Sequence, residues 1–236
     1  GNPFFVLEVF RSLYDKELIR HTEAGWHVDM SGIQDVRMAD NVIEFMVDRV
    51  RELPEKSQEV LKLAACVGNW FRQDVVADIL KETDHGTVRR ELIQLANEGC
   101  LRLGTHDATF MHDRIREAAY AMTSETERAA NHYRIANAYL SMLDRFNLED
   151  NVFTIVNQMN QGSVHIKTEE EVITLRQLNT MAGNKSLASN AYEAACGFFR
   201  QAIQTLPDRS WQNEYELTLD LHTLLARAEY LGKDYE

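Results

Sequence analysis

Residues 87–112 read TVRRELIQLANEGCLRLGTHDATFMH, and this stretch decides the fold. In its first half apolar residues recur every three or four positions, so that Leu92, Leu95 and Ala96 share one face of a predicted helix. Gly99 follows as a helix stop, because glycine adopts the backbone conformation of helix ends at little cost. The second half reads as a strand, a turn and a strand. The stretch therefore predicts a helix followed by a two-stranded wing.

Three further helices are predicted before this stretch. The first has an apolar face that Pro54 interrupts, since proline removes a helical hydrogen bond. The second, EKSQEVLKLAACVG at 55–68, ends in a glycine, and the third is QDVVADILKET at 73–83. Helices followed by a two-stranded wing are typical of a winged-helix domain, which we place at residues 41–122.

The segment before this domain, residues 1–40, is predicted to hold a helix and a hairpin. Apolar residues follow a proline at helical spacing in PFFVLEVFRSLYDKELI, which predicts an amphipathic helix over 3–19. The next stretch, LIRHTEAGWHVDM, alternates around Ala24 and Gly25 and predicts two short strands.

The remaining residues, 123–236, are predicted to form irregular helical repeats. Two capping-box sequences, Ser124 to Glu127 and Thr168 to Glu171, each mark the beginning of a helix. Small and aromatic residues then follow the spacing of a tetratricopeptide repeat, with wider intervals than its regular period. The residues that fit this spacing are Gly183, Ala195, Phe199, Ala202 and Pro207. The predicted fold class is therefore mainly α: a short lid helix and hairpin, a winged-helix domain, and a TPR-like α-superhelix.

The composition limits the partners and the cellular compartment that can be expected for this chain. The chain has 236 residues and a formal net charge of −12, which opposes general binding to nucleic acid or to anionic membranes. Its three cysteines are widely spaced, which favours buried thiols in a reducing compartment. No apolar run approaches the roughly 20 residues that a membrane span needs. We expect a cytoplasmic protein, and we expect the chain to be a segment of a longer one, since its apolar helical patterns begin and end abruptly.

A DNA-binding winged helix would concentrate basic residues on its recognition helix. Residues 42–122 hold 11 basic and 14 acidic residues, a net charge of −3, and the helix concerned carries only Arg89 and Arg90 beside Glu91 and Glu98. DNA is therefore not an expected partner of this domain.

The sequence contains no recognisable catalytic or metal-binding constellation. A phosphate loop, a nucleophile elbow and the His and Cys spacings of zinc sites are all missing. His112 and Asp113, where a strand turns into a helix, have two interpretations. Asp113 could cap the helix with His112 packed at the strand end, or His112 could donate to a phosphate at the helix N-terminus.

Three segments are GNPFF at 1–5, LKLAACVGN at 61–69 and FMHDRIREAAY at 110–120. In this order and separation they resemble the C-terminal part of STAND-class signal-transduction ATPases. Two later segments are VFTIVNQMN at 152–160 and YELTLDLH at 215–222. Together with the first three they resemble the large bacterial sensor proteins that join a Ser/Thr-kinase-like domain, such an ATPase, a GAF domain and a histidine kinase, and the similarity runs over nearly the whole chain.

The resemblance implies a nucleotide switch in the parent protein. Pro3 would lie against the adenine of bound ATP or ADP, His112 would contact the β-phosphate of ADP, and Asp113 would orient His112 or cap the helix. The phosphate loop, Walker B acid and Mg²⁺ ligands of that family are missing from this sequence. This segment is therefore expected to be non-catalytic and to hold no cofactor by itself.

The expected partners are an upstream nucleotide-binding domain and downstream signalling domains of the same protein, together with a protein ligand on the repeats. Two other functions stay open at this point. One is a winged-helix transcriptional regulator, and the other is a TPR-like adaptor that has no link to nucleotide.

Overall fold

The structure is a computed structural model that describes residues 6, 10, 13–23, 25–35, 42–80, 85–142 and 147–232. It is mainly helical with a few short strands, as the sequence predicts. The strands are β1 (Ile19–Thr22), β2 (Gly25–Val28), β3 (Trp70–Arg72), β4 (Leu101–Leu103) and β5 (Asp107–Phe110). The helices are α1 (Met30–Asp35), α2 (Val42–Arg51), α3 (Glu55–Val67), α4 (Gln73–Leu80), α5 (His85–Asn97), α6 (Asp113–Ala121), α7 (Glu125–Ser141), α8 (Leu148–Gln161), α9 (Glu169–Ala188), α10 (Tyr192–Gln204), α11 (Ser210–Asn213) and α12 (Tyr215–Leu231). Over these described ranges, every helix is too short or too polar to cross a membrane.

The predicted N-terminal hairpin is confirmed. Strands β1 and β2 pair antiparallel, with Ile19 opposite Val28 and Thr22 opposite Gly25. Gly25 has a φ of 113°, a backbone conformation that favours glycine. The glycine of the predicted turn therefore lies where the backbone needs one.

The helix predicted over 3–19 is wrong at its C-terminal end. The last described helical residue is Asp15, and Glu17 adopts a left-handed backbone conformation with a φ of 58°. The amide of Leu18 donates to the carbonyl of Leu13 over 2.9 Å, a hydrogen bond that closes a helix C-terminus. The helix therefore ends before Ile19, the residue after Leu18, which begins β1. Most of residues 1–12, including Pro3, lies outside the described residues.

Residues 55–110 fold as helix, strand, two helices and two strands, in the order α3, β3, α4, α5, β4 and β5. The predicted helices and both wing strands are present, and β3 is an additional strand that sequence reasoning missed. β5 lies between β3 and β4, and both pairings are antiparallel. Pro54 lies immediately before α3 as its N-cap, and Gly68 ends that helix, as predicted.

One hydrophobic core extends from α2 in the central region to α9 in the repeats, between Met46 and Ala182. Phe71 of β3 is fully buried, and its ring lies 6.0 Å from that of Phe110 at the end of β5. Buried residues of α7 and α8, such as Ile135 and Ile155, belong to the same core. Helices α7 and α8 therefore pack directly on the part of the chain between α2 and β5.

The helical hairpin of α9 and α10 packs through a glycine. A Cβ atom added to Gly183 would lie 2.5 Å from the ring of Phe199, which is fully buried. Ala195 and Ala202 of α10 are fully buried as well, so the small residues of the predicted repeat spacing do permit close approach of helices. Both predicted capping boxes are present at the beginnings of α7 and α9.

Candidate functional site

His112 lies where the three-stranded sheet passes into helix α6. The amide of Met111 donates to the carbonyl of Cys100 over 3.0 Å, so the chain stays extended beyond the end of β5. His112 keeps this extended conformation, with φ −153° and ψ 143°, and is the N-cap residue of α6. Its ring nitrogen Nδ1 accepts a hydrogen bond from the amide of Arg114 over 3.2 Å. The histidine side chain therefore satisfies one of the unpaired amides of the first helical turn.

Of the two interpretations of this junction, the one in which Asp113 caps the helix does not fit the structure, because the N-cap residue is His112. Asp113 is the first helical residue, it is exposed, and its carboxylate lies in the first turn, where a negative charge favours the helix macrodipole. The expected orientation of His112 by the Asp113 carboxylate is replaced, for Nδ1, by the hydrogen bond from the Arg114 amide.

The cap fixes the tautomer of His112. An Nδ1 atom that accepts a hydrogen bond carries no proton, so in the neutral imidazole the proton lies on Nε2. Nε2 is then a hydrogen-bond donor at the N-terminal end of a helix, where the backbone dipoles favour anionic oxygen atoms.

Helix α6 is held against its neighbours by small residues. Ala118 and Ala119 are fully buried and Ile115 is nearly so, and α6 packs against α2 and α3. At the other end of α6, Arg128 Nε donates to the carbonyl of Tyr120 over 3.1 Å, and its guanidinium lies 4.3 Å from the centre of the Tyr120 ring. A cation at a helix C-terminus is favourable, so both ends of α6 are stabilised by side chains.

Sequence reasoning missed a buried polar group of residues beneath α6. His132 of α7 is 3% exposed, and its Nδ1 lies 2.6 Å from Oε1 of Gln158 of α8. Its Nε2 lies 3.3 Å from the hydroxyl of Tyr120. Gln158 Nε2 in turn donates to the carbonyls of Cys66 over 3.0 Å and Val67 over 3.3 Å, at the end of α3. We refer to Tyr120, His132 and Gln158 as the polar triad.

The surroundings of His132 disfavour its charged form. Burial lowers the pKa of His132 below its ordinary value, and the nearby Arg128 guanidinium acts in the same direction, while the hydrogen bond to Gln158 opposes them. Burial also raises the pKa of the Cys66 thiol to about 11, so this cysteine is a buried, unreactive thiol rather than a nucleophile. The side chains of Cys100 and Cys196 are buried as well, as predicted, and neither forms a disulfide.

The sequence did carry a signal for the triad. His132 precedes Ile135, Ala136 and Tyr139 at helical spacing, and all three are buried. A polar residue on such a face needs a buried hydrogen-bond partner. The partner could not be read from the sequence, because it lies 26 residues away on another helix.

Two clefts lie away from His112. One, of about 470 Å³, is lined mainly by polar residues of α3 and α7, and the other, of about 520 Å³, lies between α4 and α7. Among the described residues, no group of His, Cys, Asp or Glu is arranged to hold a metal ion. His112 and the polar triad are therefore the features to which a function can be attached.

Comparison with known proteins gives one informative similarity. The chain is 24% identical to a hybrid signal transduction histidine kinase G of Dictyostelium discoideum, in an alignment of 294 positions that covers 98% of this chain. The chain spans 9% of the length of that relative. No family model matches the chain, and no solved structure matches it.

Proposed function

We propose that this chain is a non-catalytic regulatory segment of a multidomain signal-transduction protein. The similarity to a hybrid signal transduction histidine kinase supports a signalling role, because the alignment covers 98% of this chain. Since the chain spans 9% of that relative, the chemical activities belong to other parts of the parent protein in this proposal. The segment would link an upstream nucleotide-binding domain to downstream signalling domains.

Within this role, residues 55–110 are interpreted as a winged helix that senses nucleotide. The order helix, strand, two helices, two strands, with β5 in the centre of the sheet, supports this interpretation. The sheet delivers the chain directly to His112 and α6. We infer that α7 to α12 form the TPR-like part, which relays or receives a protein signal.

The observation that carries the proposal is the N-cap geometry of His112. Its Nδ1 accepts a hydrogen bond from the Arg114 amide, which leaves Nε2 as the ring nitrogen that can donate at the helix N-terminus. In the proposed switch, Nε2 donates to the β-phosphate of ADP that an upstream domain holds. A ligand shifts an equilibrium only through unequal affinity for the two states, and this hydrogen bond would exist in the ADP-bound state alone.

The exposed carboxylate of Asp113 shapes this proposal. A negative charge in the first turn of α6 reduces the attraction of the helix end for anions. Phosphate recognition would therefore rest on the directed hydrogen bond from His112 rather than on net positive charge. Pro3, which the resemblance places against adenine, stays a prediction.

The proposal is tested by the affinity for ADP of the parent protein, which includes the upstream phosphate loop, measured by calorimetry. His112→Ala removes both the donor and the cap, whereas His112→Ser removes the imidazole donor but keeps a good N-cap residue. We expect both variants to bind ADP at least about tenfold more weakly, a loss of ~1.4 kcal/mol. We expect only the alanine variant to lose thermal stability.

If His112→Ser binds ADP as tightly as the unsubstituted protein, His112 is a structural cap and the nucleotide role fails. If both variants bind weakly and both unfold at a lower temperature, the loss of affinity follows from a disturbed helix end. In that case too, the proposed phosphate contact is abandoned, and the adaptor interpretation becomes the better one.

A further inference from the structure

The polar triad joins four helices at one buried point. Tyr120 lies on α6, His132 on α7 and Gln158 on α8, and the carbonyls that Gln158 contacts end α3. These residues are separated by up to 92 positions along the chain. Helix α6 is the helix that His112 caps, so the triad connects that helix both to the central region and to the first two repeat helices.

The direction of each hydrogen bond follows from the carbonyls of Cys66 and Val67. A carbonyl can only accept, so the group of Gln158 that faces the carbonyls is the NH₂ and the group that faces His132 is the oxygen. His132 Nδ1 must then donate to that oxygen, and in the neutral imidazole Nε2 accepts from the hydroxyl of Tyr120. Each donor in the series has an acceptor, and neutral His132 is the form that fits.

Loss of any member leaves buried polar groups without partners. Gln158 is 5% exposed, and it satisfies two of the carbonyls that a helix C-terminus leaves unpaired. A buried unsatisfied group is costly, so the helices cannot move apart at this point without breaking several hydrogen bonds together. A displacement of α6 is therefore carried to α7 and α8 rather than absorbed between them.

We propose that His132 and Gln158 are positioning residues that couple the His112-bearing helix α6 to the repeat helices α7 and α8. This inference rests on the proposed function in one respect, since it identifies the route by which a change at His112 reaches the repeats. The coupling itself is a property of the described residues. It can be measured without nucleotide.

The test is a pair of hydrogen-exchange comparisons on this 236-residue chain. His112→Ala removes the cap of α6 and serves as the perturbation. In the unsubstituted background, we expect it to speed exchange in α6 and also in α8 by about tenfold, which corresponds to ~1.4 kcal/mol. In a Gln158→Met background, we expect the effect of His112→Ala to stay within α6.

Gln161→Met is the matched control. It makes the same substitution on the same helix, but Gln161 is exposed and its amide only donates to the carbonyl of Asn157 within α8. In that background His112→Ala should still speed exchange in α8. Helix α12 serves as an internal reference, because its buried Ala228, with Leu224 and Leu225 beside it, belongs to a hydrophobic cluster separate from the core that holds α6, α7 and α8.

Three outcomes overturn the coupling. The first is that His112→Ala leaves α8 unchanged, and the second is that Gln158→Met does not remove the effect. The third is that α12 responds as strongly as α8, which indicates a general loss of stability. If exchange behaves as expected while ADP binding is insensitive to His112→Ser, the coupling stands and the nucleotide role fails.

Discussion

Replacement of Gly183 by alanine tests the close packing of α9 and α10. An added Cβ atom would lie 2.5, 2.7 and 2.8 Å from three ring carbons of Phe199. The ring is fully buried, so it has no solvent-filled space into which it can move. Real Cβ atoms do not approach other atoms so closely, and the hairpin must therefore open slightly or the ring must leave its preferred rotamer.

Two opposing terms set the magnitude. Alanine in the interior of a helix is favoured over glycine by about 1 kcal/mol. Overpacking in a tightly packed core costs typically about 1–3 kcal/mol, and contact with three ring atoms places Gly183→Ala toward the upper end. We expect the free energy of unfolding to fall by about 1–2 kcal/mol, which lowers the Tm by roughly 2–8 °C for a chain of this size.

The same substitution at Gly197 is a matched control. Gly197 lies on α10 of the same hairpin, and a Cβ atom there would meet no atom within 4 Å. Gly197→Ala should therefore gain helix propensity without a clash, and it should raise the free energy of unfolding by up to about 1 kcal/mol. Urea denaturation of both variants measures this difference in the free energy of unfolding. The midpoints are compared with the same m-value for both variants.

Opposite signs for the two glycines are the result that the structure requires. If Gly183→Ala is as stable as Gly197→Ala, the close approach of Gly183 to Phe199 does not exist in solution. A second measurement covers the case in which the hairpin relaxes and hides part of the clash. Phe199→Leu should lower the free energy of unfolding less in the Gly183→Ala background than alone, because the smaller side chain leaves room for the methyl group.

Two further predictions concern pH and capping. Because the pKa of His132 is lowered in the folded state, the unfolded chain takes up the proton first as pH falls. The stability contributed by neutral His132 is thus present above its ordinary pKa and is lost as pH falls from that value toward the folded pKa. Between about pH 7.5 and about pH 5.5, urea midpoints should fall less for His132→Asn than for the unsubstituted chain. His106 is exposed, and His106→Asn should show the same fall as the unsubstituted chain. Equal falls in the two variants would exclude His132 as the cause. Thr168→Ala breaks the capping box of α9 and should cost about 1 kcal/mol, while Thr168→Ser should restore most of it; an unchanged midpoint for Thr168→Ala would contradict the cap.

The sequence predicted those elements whose boundaries are set by local chemistry. Ser124 and Thr168 cap helices because their hydroxyl groups reach amides three residues away, and Gly68 ends α3 because of its backbone freedom. Each of these features depends on residues close together in the chain. The hairpin of β1 and β2 belongs to the same class, since a short turn brings its strands together.

The errors arose where distant residues decide the local structure. Residues 70–72 form a strand because β5, nearly forty residues later, pairs with them, and three residues alone carry no periodic signal. Glu17, which follows the helical residues 13–15, adopts a left-handed backbone conformation that could not be predicted from its residue type. Aspartate is the better N-cap residue by preference, yet His112 occupies that position because the sheet holds it extended until Asp113.

The candidate site also has a part that could be predicted from the sequence and a part that could not. The position of His112 at a strand-to-helix junction could be predicted from FMHD, because a strand pattern and a helical pattern meet there. The location of its proton could not, since it depends on the hydrogen bond from the Arg114 amide to Nδ1. Nor could the polar triad be predicted, because it assembles from three helices and the end of a fourth.

The shared core determines where a signal from His112 can travel. Helix α6 packs against α2 and α3 on one side, and its Tyr120 reaches α7 through His132. A rotation of α6 alone would separate the Tyr120 hydroxyl from Nε2 of the buried His132, while the carbonyls of Cys66 and Val67 would keep their hydrogen bonds from Gln158. The lower-cost response is a joint movement of α3, α6, α7 and α8 as one packed body, since packed interiors transmit displacement rather than absorb it. In the proposed coupling, a displacement of α6 would therefore reach α7 through Tyr120 and His132, and α8 through Gln158.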